Sequence, residues 1–173
     1  LAYYGRSLAI RKESGDKWGE AGSLDNIGNV YLKQGDHQRA MDFCGQSLAI
    51  ARDSGDKKGE ANSLFHLAVI AYAQNNYAAA VDTAKRSLSI REEIGDKKGQ
   101  AEIYLCMADW KFAESEQEQT EQRLKFLDRA LALAEEMGAQ DNLLKAHLGF
   151  YKFFKQEREF DNALVHLEES NRL

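Results

Sequence analysis

The sequence predicts an all-α fold of antiparallel helix-turn-helix repeats stacked into a solenoid, and three observations predict it. The 173 residues contain no proline, the residue that interrupts helices by removing an N–H and clashing with the preceding turn. The tripeptide Gly-Asp-Lys recurs at 15–17, 55–57 and 95–97, forty residues apart each time. Its flanks recur with it: SLAIRKESGDKWGEAGSL, SLAIARDSGDKKGEANSL and SLSIREEIGDKKGQAEIYL. Between these turns apolar residues return at steps of three and four, the period of a helix with one buried face. A period of this length marks a supersecondary unit that buries its apolar face only by stacking on copies of itself.

Each element follows in order. Residues 1–14 read as the second helix of a partial repeat, and a chain opening inside a helix reads as a fragment of a longer one. The first full repeat, 17–56, places Leu24, Ile27, Val30 and Tyr31 on one helix and Ala40, Phe43, Cys44, Ser47 and Leu48 on the next. Gly35-Asp36 separates them. Glycine closes a helix in the left-handed conformation without a Cβ clash, and the aspartate caps the next helix by accepting from a free backbone N–H. The repeat 57–96 uses Asn75-Asn76 at the same place, asparagine being the next best residue for both tasks. Small residues let the helices approach: Gly28, Ala40 and Ser47 in one repeat, Ala68, Ala80 and Ser87 in the next.

The third repeat, 97–139, begins with Ala101, Tyr104, Met107 and Ala108 at the expected places. Gly95 and Gly138 are forty-three residues apart, however. An insertion near 114–122, in the turn, accounts for the difference. The second helix is expected near Glu121–Glu136, with Leu124, Leu127, Ala130, Leu131 and Ala134 inside. Residues 140–173 form a divergent last repeat, rich in aromatics (Phe150, Tyr151, Phe153, Phe154, Phe160) but keeping Ala163 and Leu167. In all, at least eight helices of roughly 13–18 residues are expected.

Composition narrows the function. The net charge of −5 disfavours binding to a phosphate backbone, so no nucleic acid is expected. No apolar run reaches the length of a membrane span and no signal peptide is visible, so no membrane partner is expected either. Cys44 and Cys106 belong to no CxxC pair and read as reduced core thiols of a cytoplasmic protein. His37, His66, His147 and His166 form neither HxxxH nor HExxH, so no metal site is expected from spacing. No GxSxG elbow and no GxxxxGK[ST] loop occurs, so neither catalysis nor a cofactor is expected.

The run SLDNIGNVYLKQGDHQRAMDFCGQSLAI resembles a tetratricopeptide repeat. Counted from Ala21, the residues Ile27, Gly28, Tyr31, Gly35, Ala40 and Leu48 fall where that family keeps its packing residues, and the next repeat matches through Leu67, Ala68, Tyr77, Ala80 and Leu88. Cys44 and Ala71 stand where the family usually has an aromatic and a tyrosine. The forty-residue period is similar to a long-repeat subgroup found in bacterial signalling proteins and spindle-orientation scaffolds. The resemblance implies a right-handed superhelix whose concave groove is lined by the first helix of each repeat. The implied peptide-binding positions are Asp25, Asn26 and Asn29, then Asn62, Phe65, His66, Val69 and Tyr72, then Leu105, Asp109 and Phe112, then Lys152 with Lys145, Leu148 and Lys155. Asparagine amides can both donate to and accept from an extended backbone. Asp25 occupies a place where members that grip a C-terminal carboxylate carry lysine, so a chaperone-tail clamp is not expected.

The expected function is therefore a non-catalytic protein–protein interaction module that holds a peptide or protein segment, as part of a larger signalling protein. The alternative is a structural, oligomerising and sensory element that regulates a C-terminal output domain such as a nucleotide cyclase, a diguanylate cyclase or a histidine kinase. There the aromatic run Phe150–Phe154 would suit a contact with a second copy in a homodimer, although a capped core explains it too.

Overall fold

The computed structural model describes residues 2–111 and 115–173. They fold into nine helices, with no strand among the described residues. The chain forms two compact units, Leu1–Ile94 and Gly95–Leu173.

The first unit contains α1 (Ala2–Ser14), α2 (Lys17–Lys33), α3 (His37–Asp53), α4 (Lys57–Ala73) and α5 (Tyr77–Glu93). Each helix packs on its neighbour in the chain, and α2 also packs on α4, which occupies the same place one repeat later. The Gly-Asp turns are built as their chemistry requires. Gly15, Gly35 and Gly55 have φ of 71°, 77° and 71°, and Asn75 takes 62° in the corresponding turn. At the first intra-repeat turn Gly35 N–H donates to Leu32 and Asp36 N–H to Tyr31, satisfying carbonyls that the helix end leaves free. Asp16, Asp36, Asp56 and Asn76 then accept from Gly19, Arg39, Gly59 and Ala79 N–H at the next helix start. Ala40, Ala68 and Ala80 are fully buried between helices, with Leu24, Ile27, Leu64 and Ile70 filling the core around them.

The second unit contains α6 (Lys97–Ala108), α7 (Glu116–Met137), α8 (Gln140–Gln156) and α9 (Phe160–Arg172). Chain neighbours pack again, and α6 packs on α8. Ala108, Leu127, Phe150 and Phe153 form its buried centre, with Leu105, Leu124, Phe126, Leu131 and Phe154 around them. Two expectations change here. The polar stretch expected as a turn up to residue 122 is helical from Glu116, because Ser115 caps Glu118 N–H and Glu116 and Glu118 lie in the first turn, where carboxylates favour the helix dipole. The helices correspondingly depart from the expected lengths, with α6 at twelve residues and α7 at twenty-two. The aromatic run lies largely inside the unit, as a capped core requires, with Phe150 and Phe153 buried and Phe154 packed against them. The capping device also fades: among the described residues α8 and α9 start at Ala139 and Glu159 without a side-chain cap.

Candidate functional site

The packed helices leave clefts in both units. In the first unit a cleft of about 550 Å³ is lined by α1, α2 and α4. Asp25, Asn26 and Asn62, three of the expected groove residues, line it. Asn26 is exposed, and its amide donates to Gly22 O at 2.8 Å. Asn62 is half-buried, and its carbonyl oxygen accepts from the buried Arg91 at 2.7 Å. Arg91 thereby anchors the Asn62 amide through its oxygen. Asp25 is buried, with Oδ2 at 2.9 Å from Nδ1 of His66.

Around these the cleft carries residues that the groove positions did not include. Tyr3 and Tyr4 come from α1, Arg11 lies one turn before its end, and Trp18 and Lys58 stand in the first turns of α2 and α4. Tyr3 and Trp18 expose 80% and 63% of their surface, so they offer apolar faces that nothing in the unit covers. Arg11 lies over Gly19, where a Cβ would come within 1.7 Å of its guanidinium, and pairs with Asp16 at 3.2 Å. One signal for this set was present in the sequence. Trp18 interrupts an otherwise lysine position, occupied by Lys58 and Lys98 in the following repeats.

The other expected residues of the first unit do not line this cleft. Asn29, Phe65, His66, Val69 and Tyr72 are half-buried on α2 and α4, and the Tyr72 ring lies tilted by 50° against Tyr77 with centres 5.2 Å apart. In the second unit Leu105, Asp109 and Lys152 are brought together around a smaller cleft of about 290 Å³, with Lys145 and Leu148. Leu105 also packs on the core, and Asp109 caps the end of α6. Phe112 lies outside the described residues. Cys44 is buried and its thiol is pushed up to about 12, chiefly by burial and then by the Asp25 charge. Burial likewise pushes Cys106 up to about 11. Both are therefore protonated at neutral pH and poor nucleophiles.

Helical hairpins closed by Gly-Asp turns and stacked through small residues define a helical-repeat protein. Residues 19–93 match the tetratricopeptide repeat family. That class consists of protein–protein interaction scaffolds. No curated protein matches the chain in sequence. Among solved structures it is similar to the apo form of RapI, with a TM-score of 0.70 and 18% identity over 98% of this chain. It is also similar to BtubC from P. vanneervenii, with 0.73 and 14% over 95% of this chain and 76% of that one. A P. anserina putative kinesin light chain with nearly identical TPR-like repeats gives 0.62 and 14%, over 98% of this chain and 82% of that one. The chain spans 58% of the length of RapI. At these identities the likeness is one of fold. Among the described residues no helix is long and apolar enough to cross a membrane.

Proposed function

We propose that the protein is a non-catalytic module that holds an extended peptide or protein segment in the cleft of its first unit. The carrying observation is that this cleft combines two amides with exposed aromatic rings. Asn26 and Asn62 lie in it beside Trp18, Tyr3 and Tyr4, a lining that pairs backbone hydrogen bonding with apolar anchor points. Asn29, Phe65, Val69 and Tyr72 would extend the contact along α2 and α4. Leu105, Asp109 and Lys152 would form a second, smaller contact in the other unit.

The test is binding to an array of immobilised peptides of varied sequence, read by fluorescence. Trp18 lines the cleft while Trp110 is buried, so a ligand in the cleft should change Trp18 emission, and Trp18→Phe should abolish the change. The double variant Trp18→Ala, Asn26→Ala should bind at least about tenfold more weakly, the scale of an aromatic anchor. Undiminished binding by a folded double variant would place the segment elsewhere.

A second reading, coupling to an output domain or to another copy within a cytoplasmic signalling protein, is favoured by α9. There Phe160, Leu164 and Val165 expose 65%, 54% and 56% of their surface. Light scattering tests self-association: a dimer that Leu164→Glu dissociates supports it, and a monomer at high concentration removes the homodimer.

A further inference from the structure

Three side chains with metal-binding chemistry meet in the first unit, one from each of three successive helices. Asp25 on α2, Cys44 on α3 and His66 on α4 each bring one ligand atom within 4.8 Å of the others. Asp25 is 92% buried by its 8% exposure and Cys44 is fully buried. His66 Nδ1 lies 2.9 Å from Asp25 Oδ2, yet among the described residues this nitrogen and Asp25 Oδ1 make no hydrogen bond. A buried polar atom with no hydrogen-bond partner is costly, and this cluster holds two, Asp25 Oδ1 and His66 Nδ1. The fold also makes room for the sulfur. Gly28 sits where a Cβ would come within 2.5 Å of Cys44 Sγ.

We propose that Asp25, Cys44 and His66 bind one zinc ion, which ties α2, α3 and α4 together across the repeat boundary. The donor set selects the metal. Calcium and magnesium take oxygen ligands almost alone, and monovalent copper prefers soft sulfur ligands. Zinc accepts sulfur, nitrogen and oxygen, at about 2.3, 2.0–2.1 and 2.0–2.2 Å respectively. Around a tetrahedral ion such donors stand about 3.3–3.6 Å apart, between the 2.9 Å of the Asp25–His66 pair and the 4.8 Å limit of the set. Charge also balances. On binding, the Cys44 S–H bond breaks, its proton leaves to solvent and a sulfur–zinc bond forms. The thiolate and the Asp25 carboxylate then neutralise the dication, as a buried site requires. The His66 side chain is 22% exposed, so the fourth position opens on that side to water.

The test uses the whole chain, stripped by a chelator and titrated with cobalt(II) as the coloured probe and zinc as its competitor. One equivalent of cobalt should produce the visible bands of a tetrahedral ion and a sulfur-to-metal charge-transfer band, and zinc should erase both. Cys44→Ser should lose the charge-transfer band and His66→Ala should weaken binding by at least about tenfold, since even outer-shell partners of a metal are worth that much. Cys106→Ser and His147→Ala should leave the spectrum unchanged. Where Cys44→Ser does not fold, the unaltered protein and Cys106→Ser carry the test, because one equivalent of zinc should raise both unfolding midpoints. The proposal is overturned by the absence of tetrahedral bands, by bands that survive in folded Cys44→Ser or vanish in His147→Ala, or by an unfolding midpoint indifferent to zinc.

Discussion

The buried hydroxyl of Ser87 donates to the carbonyl of Ala61 at 2.7 Å, and forty residues earlier Ser47 makes the same bond to Ala21 at 2.8 Å. The bond joins the two helices of a repeat. Serine is there for two reasons: its volume lets the helices touch, and its hydroxyl finds the spare lone pair of a helical carbonyl. In the first repeat the chain of bonds continues, because Ser63 on α4 donates to Ser47 on α3 at 2.9 Å.

That chain makes a specific forecast about Ser47→Ala. The substitution removes the bond to Ala21 and leaves the buried Ser63 hydroxyl without its acceptor, so it should cost about 1–3 kcal/mol. The double variant Ser47→Ala, Ser63→Ala removes the orphaned hydroxyl as well and should cost little more than the single one. Urea unfolding of the three variants measures this. Strictly additive losses would show that the two hydroxyls act independently.

Gly28 offers a second coupled pair. A Cβ there would meet Cys44 Sγ at 2.5 Å, with Ala40 O at 3.2 Å and Cys44 N at 3.3 Å. Gly28→Ala should therefore overpack the α2–α3 contact by about 1–3 kcal/mol. Cys44→Ala on the same background removes the sulfur and should restore part of the loss, although alone it destabilises by leaving a small cavity. A double-mutant cycle by urea unfolding reads the sign. If Cys44→Ala harms the Gly28→Ala protein as much as the unaltered one, the two atoms are not in conflict.

These contacts show how far the sequence could be read. The turns were legible because the left-handed residue and the cap are adjacent in the chain, so Gly35-Asp36 and Asn75-Asn76 announce themselves. The boundary between α6 and α7 was not. Residues 116–122 carry no apolar period, and what makes them helical is the Ser115 cap and pairs such as Gln117 with Glu121. In the candidate site, Asn26 and Asn62 were reached through repeat register. Arg11, Trp18 and Lys58 were missed because they sit at helix ends, outside the groove positions. Asp25, Cys44 and His66 are separated by nineteen and twenty-two residues, and only helix packing makes them neighbours. No local spacing could disclose them.

Arg158 marks where the second unit departs from the repeat rule. Its φ is 62°, in the turn position that glycine holds at Gly15, Gly35, Gly55 and Gly95 with φ of 68–77°. A residue with a Cβ is held there at a cost of about 1–2 kcal/mol. Arg158→Gly should stabilise the protein by up to about 1 kcal/mol, since the looser unfolded chain offsets part of the relief. Gly55→Arg should lose about the same amount. A higher urea midpoint for the first variant and a lower one for the second is the expected pattern, and a destabilised Arg158→Gly contradicts it.

The last prediction concerns pH and the pair His147–His166. Their Nδ1 atoms are 3.0 Å apart, so one ring donates and the other accepts. His166 also lies against Phe150, with ring centres 4.5 Å apart, and near Phe154 at 5.6 Å. Burial first and His147 second hold the His166 imidazole below its ordinary value, while Glu169 and Asp128 pull weakly the other way. A lowered histidine means that the unfolded chain binds more protons than the folded one between the two values, so stability rises with pH across that window. The protein should therefore lose stability as pH falls below the ordinary histidine value of about 6.5, and the loss should level off once His166 is protonated in the folded state too. His166→Gln keeps a side chain able to pair with His147 and does not titrate. Urea midpoints measured from neutral pH to about pH 5 should fall less steeply for this variant than for the unaltered protein, and parallel curves would show that the acid sensitivity arises elsewhere.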